Sequence, residues 1–219
     1  YNIVKATTRL ADALDFVEED IKKQYLGFAL YFPLSNKDTV LELFVAQSMQ
    51  IQNNIQYKRS CDAYTGLGAY TWNGLLRMGK MNELTEILAE IKQFDEMFEK
   101  LPRPSGPLVV YRGLTLSPNI VEVLLRDPAY VSTSLEPAVP FNDFAEFGDS
   151  RFAEQMSQKT RIMLKIDVPA GSRVIFAPAC RRIFQGTGKM NIEWEIILPR
   201  GAMSRMRPIS KLVIHHPKY

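Results

Sequence analysis

The 219-residue sequence predicts an α+β protein, with a helical first half and a sheet-rich second half. Three observations carry this reading. Apolar residues recur at three- and four-residue steps before residue 102, a Pro-rich stretch "PRPSGP" at 102–107 interrupts the pattern, and beyond it the apolar period falls to two.

The helical segments come first. "TTRLADALDFVEEDIKKQYL" (7–26) puts Leu10, Leu14, Val17 and Ile21 on one face. "NKDTVLELFVAQSMQIQ" (36–52) opens on a capping-type Asn36, "CDAYTGLGAYTWNGLLRMG" (61–79) runs to Gly79, and "NELTEILAEIKQFDEMFEKL" (82–101) ends against the prolines. The strand candidates are "LVVYRG" (108–113), "YVSTSL" (130–135), "TRIMLKIDV" (160–168), "SRVIFAP" (172–178), "NIEWEIIL" (191–198) and "ISKLVIHH" (209–216). Each is short, rich in β-branched or aromatic residues and bounded by turn residues. "PNIVEVLLRD" and "PFNDFAEFGDSRFAEQM" read as short helices or loops between strands. No internal repeat appears, so 1–219 is expected to be one catalytic domain, with 1–103 helical and 108–219 forming the β-core.

Composition narrows the function. With 27 basic and 24 acidic residues the net charge is only +3, which gives little electrostatic support for a nucleic-acid partner or an anionic membrane. No apolar run approaches the ~18 residues that would span a bilayer, and the first residues carry charges where a signal peptide has an apolar core, so a soluble chain is expected. Its start at Tyr1 fits a piece of a longer protein or a processed form. Cys61 and Cys180 lack metal-ligand spacing and fit a reducing compartment or plain core positions. His215 and His216 would point to opposite faces of a strand, and no metal site is expected.

Near the C-terminus, "NIEWEIILPRG" carries two glutamates one residue apart. On a regular strand Glu193 and Glu195 would share a face, their Cα atoms roughly 6.5–7 Å apart, with Trp194, Ile196 and Leu198 buried behind. An exposed strand face would explain the pair alone. Two further pieces precede it, an arginine in "VVYRGL" and a hydroxyl triplet in "YVSTS". In this order the three resemble the Arg/Ser-Thr-Ser/Glu-x-Glu class of mono-ADP-ribosyltransferases, which includes clostridial actin-modifying toxins and phage Alt-type enzymes. "YTGLGAYTWNGLLR" is similar to the helix that precedes the sheet in those toxins, and "STSL" and "EIILPRG" are most similar to the Alt-type catalytic domain. The resemblance covers about residues 60–205.

The resemblance implies a two-sheet mixed β-core with NAD, as substrate and without metal, in the cleft between sheets. It also implies roles. Glu195 stabilises the oxocarbenium-like ribose that forms as nicotinamide leaves, because a fixed carboxylate in a water-poor cleft does this better than water. Ser132 orients Glu195, Arg112 grips a diphosphate oxygen or ribose, and Gly113 lets the backbone approach the nicotinamide amide. Ser132 and Thr133 belong to the cofactor-binding set, and Asn73 and Arg77, four apart on one helix face, reach the same dinucleotide. Glu193 holds the acceptor and marks it as arginine, whose guanidinium must lose a proton to attack.

Two loops are expected to set partner and kinetics. "EPAVPFNDFAEFGDS" should cover the nicotinamide, with Phe141, Phe144 or Phe147 stacking on the ring. "PACRRIFQGTGKMN" should read the acceptor, with Phe184 as its exposed aromatic and Arg181, Arg182, Lys189 and nearby Arg200 facing an acidic target or simply solvent. Its "GTGK" lacks the spacing of a phosphate-binding loop. The expected partners are NAD and a target protein bearing a modifiable arginine, met in the cytoplasm of the target or host cell. The expected enzyme is a monomeric phage or bacterial effector. A NAD glycohydrolase, a transferase acting on nucleic acid and an inactive NAD-binding module are the rival readings.

Overall fold

The computed structural model describes residues 36–79, 85–116, 126–140, 160–180 and 194–206. The helix expected at 7–26 and the strand expected at 209–216 lie outside them.

Helix α1 (Lys37–Gln52) buries Val40, Leu41, Leu43, Phe44 and Ile51. It stops at a pair of asparagines, and the Asn54 side chain accepts hydrogen bonds from the Gln56 and Tyr57 N–H groups to cap α2 (Ile55–Ala63). One unbroken helix was expected over 61–79. Instead α2 passes into a π turn at Tyr64–Gly68, where Gly66 leaves helical geometry (φ −88°, ψ −133°), before α3 (Ala69–Met78) resumes. Gly68 makes the kink possible, since a Cβ there would lie 2.2 Å from the Ala63 carbonyl oxygen. Gly79 closes α3 at φ 67°. Helix α4 (Thr85–Lys100) buries Ile91, Phe94, Met97 and Phe98 at helical spacing.

Five strands follow, β1 (Leu108–Leu116), β2 (Val131–Ser134), β3 (Thr160–Val168), β4 (Ile175–Phe176) and β5 (Glu195–Leu198). Two sheets of mixed direction were expected. The described strands form one sheet in the order β3-β1-β2-β5-β4, and every pairing is antiparallel. The sheet is nevertheless divided. β1 and β3 pair along their whole lengths, from Leu108↔Val168 to Leu116↔Thr160, and β2 pairs with β5 from Val131↔Leu198 to Ser134↔Glu195. Between these blocks the ladder consists of the single register pair Tyr111↔Ser134. The two blocks thus meet at that one register pair, a seam inside the sheet.

Two strand boundaries differ from expectation. The 172–178 segment is a strand only at Ile175–Phe176 and then turns into the short helix α5 (Ala177–Cys180). β5 starts at Glu195, because Trp194 sits at φ 47°, a left-handed conformation that ends the extended geometry on its N-terminal side. A last short helix, α6 (Ala202–Arg205), follows the Pro-Arg-Gly turn.

One core joins helices to sheet. Phe94 stacks on Tyr64 at 4.6 Å between centroids and meets Tyr130, Trp72 and Phe98 edge-on. Gln47 is fully buried, and its amide donates to the Pro102 and Val174 carbonyls and accepts from the Phe176 N–H, at 2.8–2.9 Å, fixing α1 to β4 and to the Pro-rich boundary. The cysteines correct the expectation of unpaired thiols. Packing of α2 against α5 brings Cys61 and Cys180 to 5.2 Å between Cα atoms, and they form a disulfide across 119 residues.

Candidate functional site

The β2–β5 register sets the site. Side chains alternate along each strand and directly paired residues share a face, so Ser132, Ser134 and Glu195 project from one side while Thr133 and Ile196 project from the other. Ser132 sits diagonally across from Glu195, within reach of a long side chain. Across the seam, Arg112 on β1 extends its guanidinium to the Ser132 carbonyl oxygen at 3.2 Å, and Gly113 is buried beside it. The guanidinium thus bridges the two blocks where their ladder is interrupted.

From the helical side, the Tyr64 hydroxyl accepts the Asn73 amide at 3.4 Å and lies close to the Ser132 side chain. Burial raises the Tyr64 phenol above its ordinary value. The polar Ser132 side chain and the Asn73 hydrogen bond oppose that rise, and the Glu195 charge adds to it. Burial lowers the Arg112 guanidinium, with Asp127 acting against the fall and neighbouring Arg77 adding to it. Arg112, Tyr64 and Glu195 therefore lie within one electrostatic neighbourhood.

Asp127 balances the arginines. Its carboxylate takes two N–H groups of Arg77, the shorter at 2.9 Å, and its Oδ1 accepts the Ala129 N–H at 3.0 Å. Burial would raise its pKa, yet the Arg77 hydrogen bond, the Ala129 N–H and the charges of Arg77 and Arg112 hold it below the ordinary carboxylate range.

The sequence-predicted residues divide three ways. Arg112, Gly113, Ser132 and Glu195 come together as described. Asn73, Arg77 and Thr133 are engaged in the protein's own framework: Asn73 Oδ1 accepts the Tyr130 N–H at 3.0 Å, Arg77 holds Asp127, and the Thr133 hydroxyl donates to the Ile196 carbonyl at 2.6 Å on the opposite face. Glu193, Phe141, Phe144, Phe147 and Phe184 lie outside the described residues. Sequence reasoning missed two participants. Tyr64 belongs to the aromatic core, yet its hydroxyl also reaches the site. Asp127 was placed in a connecting segment, although an Asp-Pro pair just before a strand is a turn signal that could have drawn notice.

A family model for the ADP-ribosyltransferase exoenzyme matches residues 42–217. The chain belongs to the ADP-ribosyltransferase exoenzyme family. Among solved structures it is similar to exoenzyme S from Pseudomonas aeruginosa, captured with human 14-3-3 protein beta and carba-NAD, at 19% identity over 90% of this chain and 78% of that one, with a TM-score of 0.43. It is also similar to the Clostridium limosum C3 exoenzyme, at 23% identity over 75% and 82% of the two chains and a TM-score of 0.48. The Vis toxin of Vibrio splendidus is a third, at 17% identity over 78% and 79% and a TM-score of 0.46. No curated protein matches.

Membership makes this exoenzyme a mono-ADP-ribosyltransferase of the toxin-like kind, with NAD as its substrate. Among the described residues no group of three or more His, Cys, Asp or Glu side chains could hold a metal ion, and no helix is long and apolar enough to cross a membrane.

Proposed function

We propose that this exoenzyme transfers ADP-ribose from NAD to an arginine of a target protein. The observation that carries the proposal is the shared face of Ser132 and Glu195, flanked by Arg112 across the seam and by the Tyr64 hydroxyl. Glu195 stabilises positive charge on the ribose as the bond between C1′ and nicotinamide breaks and its electron pair returns to the pyridine nitrogen. Ser132 orients Glu195, while Arg112 and Gly113 grip the dinucleotide. A guanidinium nitrogen of the target then bonds C1′, and its proton passes to Glu193 and on to water. Phe141, Phe144 or Phe147 covers the nicotinamide and Phe184 reads the acceptor. The target lies in the cytoplasm of a host or recipient cell, within the transcription or translation machinery if the enzyme serves a phage. The whole chain works as a single, monomeric catalytic domain.

The test compares the wild type with Glu195→Gln and Glu193→Gln, using labelled NAD and a bacterial lysate, and follows free nicotinamide and labelled macromolecules. The expected pattern is protein label released by hydroxylamine, no reaction in Glu195→Gln, and retained nicotinamide release without protein label in Glu193→Gln. Nuclease-sensitive label would move the acceptor to nucleic acid. Nicotinamide without label would indicate a glycohydrolase, and NAD binding without turnover a binding module.

A further inference from the structure

A second concave site lies between the C-terminal half of α4 and the turns before β2 and after β5. This pocket has a volume of about 590 Å³, and Arg112, Ser132 and Glu195 take no part in its walls. Arg126, Arg173, Arg200 and Arg205 all reach it, with Asp95 and Glu99 among them. A third carboxylate, Asp127, also lines it.

Each of these carboxylates already has a cation. Arg200 Nε donates to Asp95 at 2.9 Å, Arg173 pairs with Glu99 at 2.8 Å, and Arg77, outside the pocket, holds Asp127. Arg126 has no carboxylate partner among the described residues, and Arg205 gives one N–H to the Arg200 carbonyl oxygen at 3.3 Å. Among the described residues, two exposed guanidinium charges therefore remain uncompensated at one concavity. The wall behind them is fixed, because Asp95 also accepts the Tyr130 hydroxyl at 2.7 Å, and Tyr130 is fully buried in the aromatic core. Guanidinium forks match phosphate oxygens in pairs, and a volume of this size accommodates a small organic phosphate.

We propose that this pocket binds a small phosphate-bearing anion, with Arg126 and Arg205 as the principal partners and the paired Arg173 and Arg200 completing the cradle. The pocket walls share no residue with the Arg112, Ser132 and Glu195 cluster, and the proposal stands independently of the acceptor that the enzyme modifies. The probe is pyrophosphate, the simplest diphosphate, titrated calorimetrically at low ionic strength with and without saturating carba-NAD. The comparison is between the wild type and the double variant Arg126→Gln/Arg205→Gln. Both positions are exposed, so the core is untouched, and circular dichroism checks the fold. One saturable site should persist when carba-NAD is present, and its affinity should fall by about tenfold or more in the double variant, since each fork contributes charge-assisted hydrogen bonds. No saturable binding, equal affinity in the double variant, or loss of binding under carba-NAD would each overturn the proposal. The last result would show that the anion had entered only the NAD cleft.

Discussion

The Tyr64 hydroxyl accepts the side-chain amide of Asn73 at 3.4 Å and lies close to Ser132, so a π turn between helices brings a phenol to the central hydroxyl triplet. The ring of Tyr64 is fixed by Phe94 and Trp72, so the hydroxyl is a rigid donor and acceptor. Tyr64→Phe keeps the packing and removes this one group. Nicotinamide release should fall about tenfold, the equivalent of one hydrogen bond of about 1.4 kcal/mol. An unchanged rate in a stably folded variant would remove Tyr64 from the site.

Trp194 holds a left-handed backbone conformation one residue before Glu195. Replacing it with alanine removes the buried indole and keeps the strain, whereas glycine removes both. Trp194→Gly should therefore be the more stable of the two by about 1 kcal/mol in urea unfolding, the reverse of the usual order at an extended position. A more stable alanine variant would show that the conformation relaxes once the indole is gone.

Asp127 gives the protein an acid limit. Its folded pKa is depressed, so its contribution is complete above the unfolded value and is lost as pH falls through the folded one. Unfolding midpoints should decline below about pH 4, the unperturbed carboxylate range. Asp127→Asn should lower stability at neutral pH and flatten that decline. A parallel decline in both proteins would assign the acid sensitivity to other carboxylates.

Gln47 satisfies three buried backbone groups from one side chain. Gln47→Leu fills similar space and leaves them unpaired, at a cost of about 3 kcal/mol or more. A drop in Tm of about 10 °C should follow, and the loss should be seen as early hydrogen exchange at the Phe176 amide.

The Cys61–Cys180 bridge closes a loop of 119 residues, so its loss enlarges the unfolded ensemble greatly. Reduction, or the Cys61→Ser/Cys180→Ser pair, should lower stability by up to about 4 kcal/mol in denaturant titration. Identical midpoints with and without reductant would show that the packing of α2 and α5 is sufficient alone.

Local chemistry made much of this legible. The "VVYRGL", "YVSTS" and "EIIL" segments are β1, β2 and β5 because β-branched and aromatic residues alternate there between turn residues, and the arginine, serine and second glutamate are brought together. What remained hidden depends on distant partners or on backbone torsion. A tyrosine at helical spacing looks the same whether its hydroxyl is idle or takes the amide of an asparagine beside the sheet. Nothing near Asp127 announces Arg77, fifty positions earlier. The Glu193–Glu195 pair looked like a simple strand alternation because no residue type advertises the left-handed turn at Trp194. Likewise, two cysteines without motif spacing say nothing of each other until helices bring them together.

The solitary Tyr111↔Ser134 rung has a wider meaning for how the molecule can work. A β-sheet is ordinarily a wall, and ligands pass over its rim or settle against its surface. Here the wall has a joint within its own masonry, closed by one course and by the side chain of Arg112 reaching across to the far block. The masonry is thus least bonded beside Arg112 and Ser132, the residues from which the site is built.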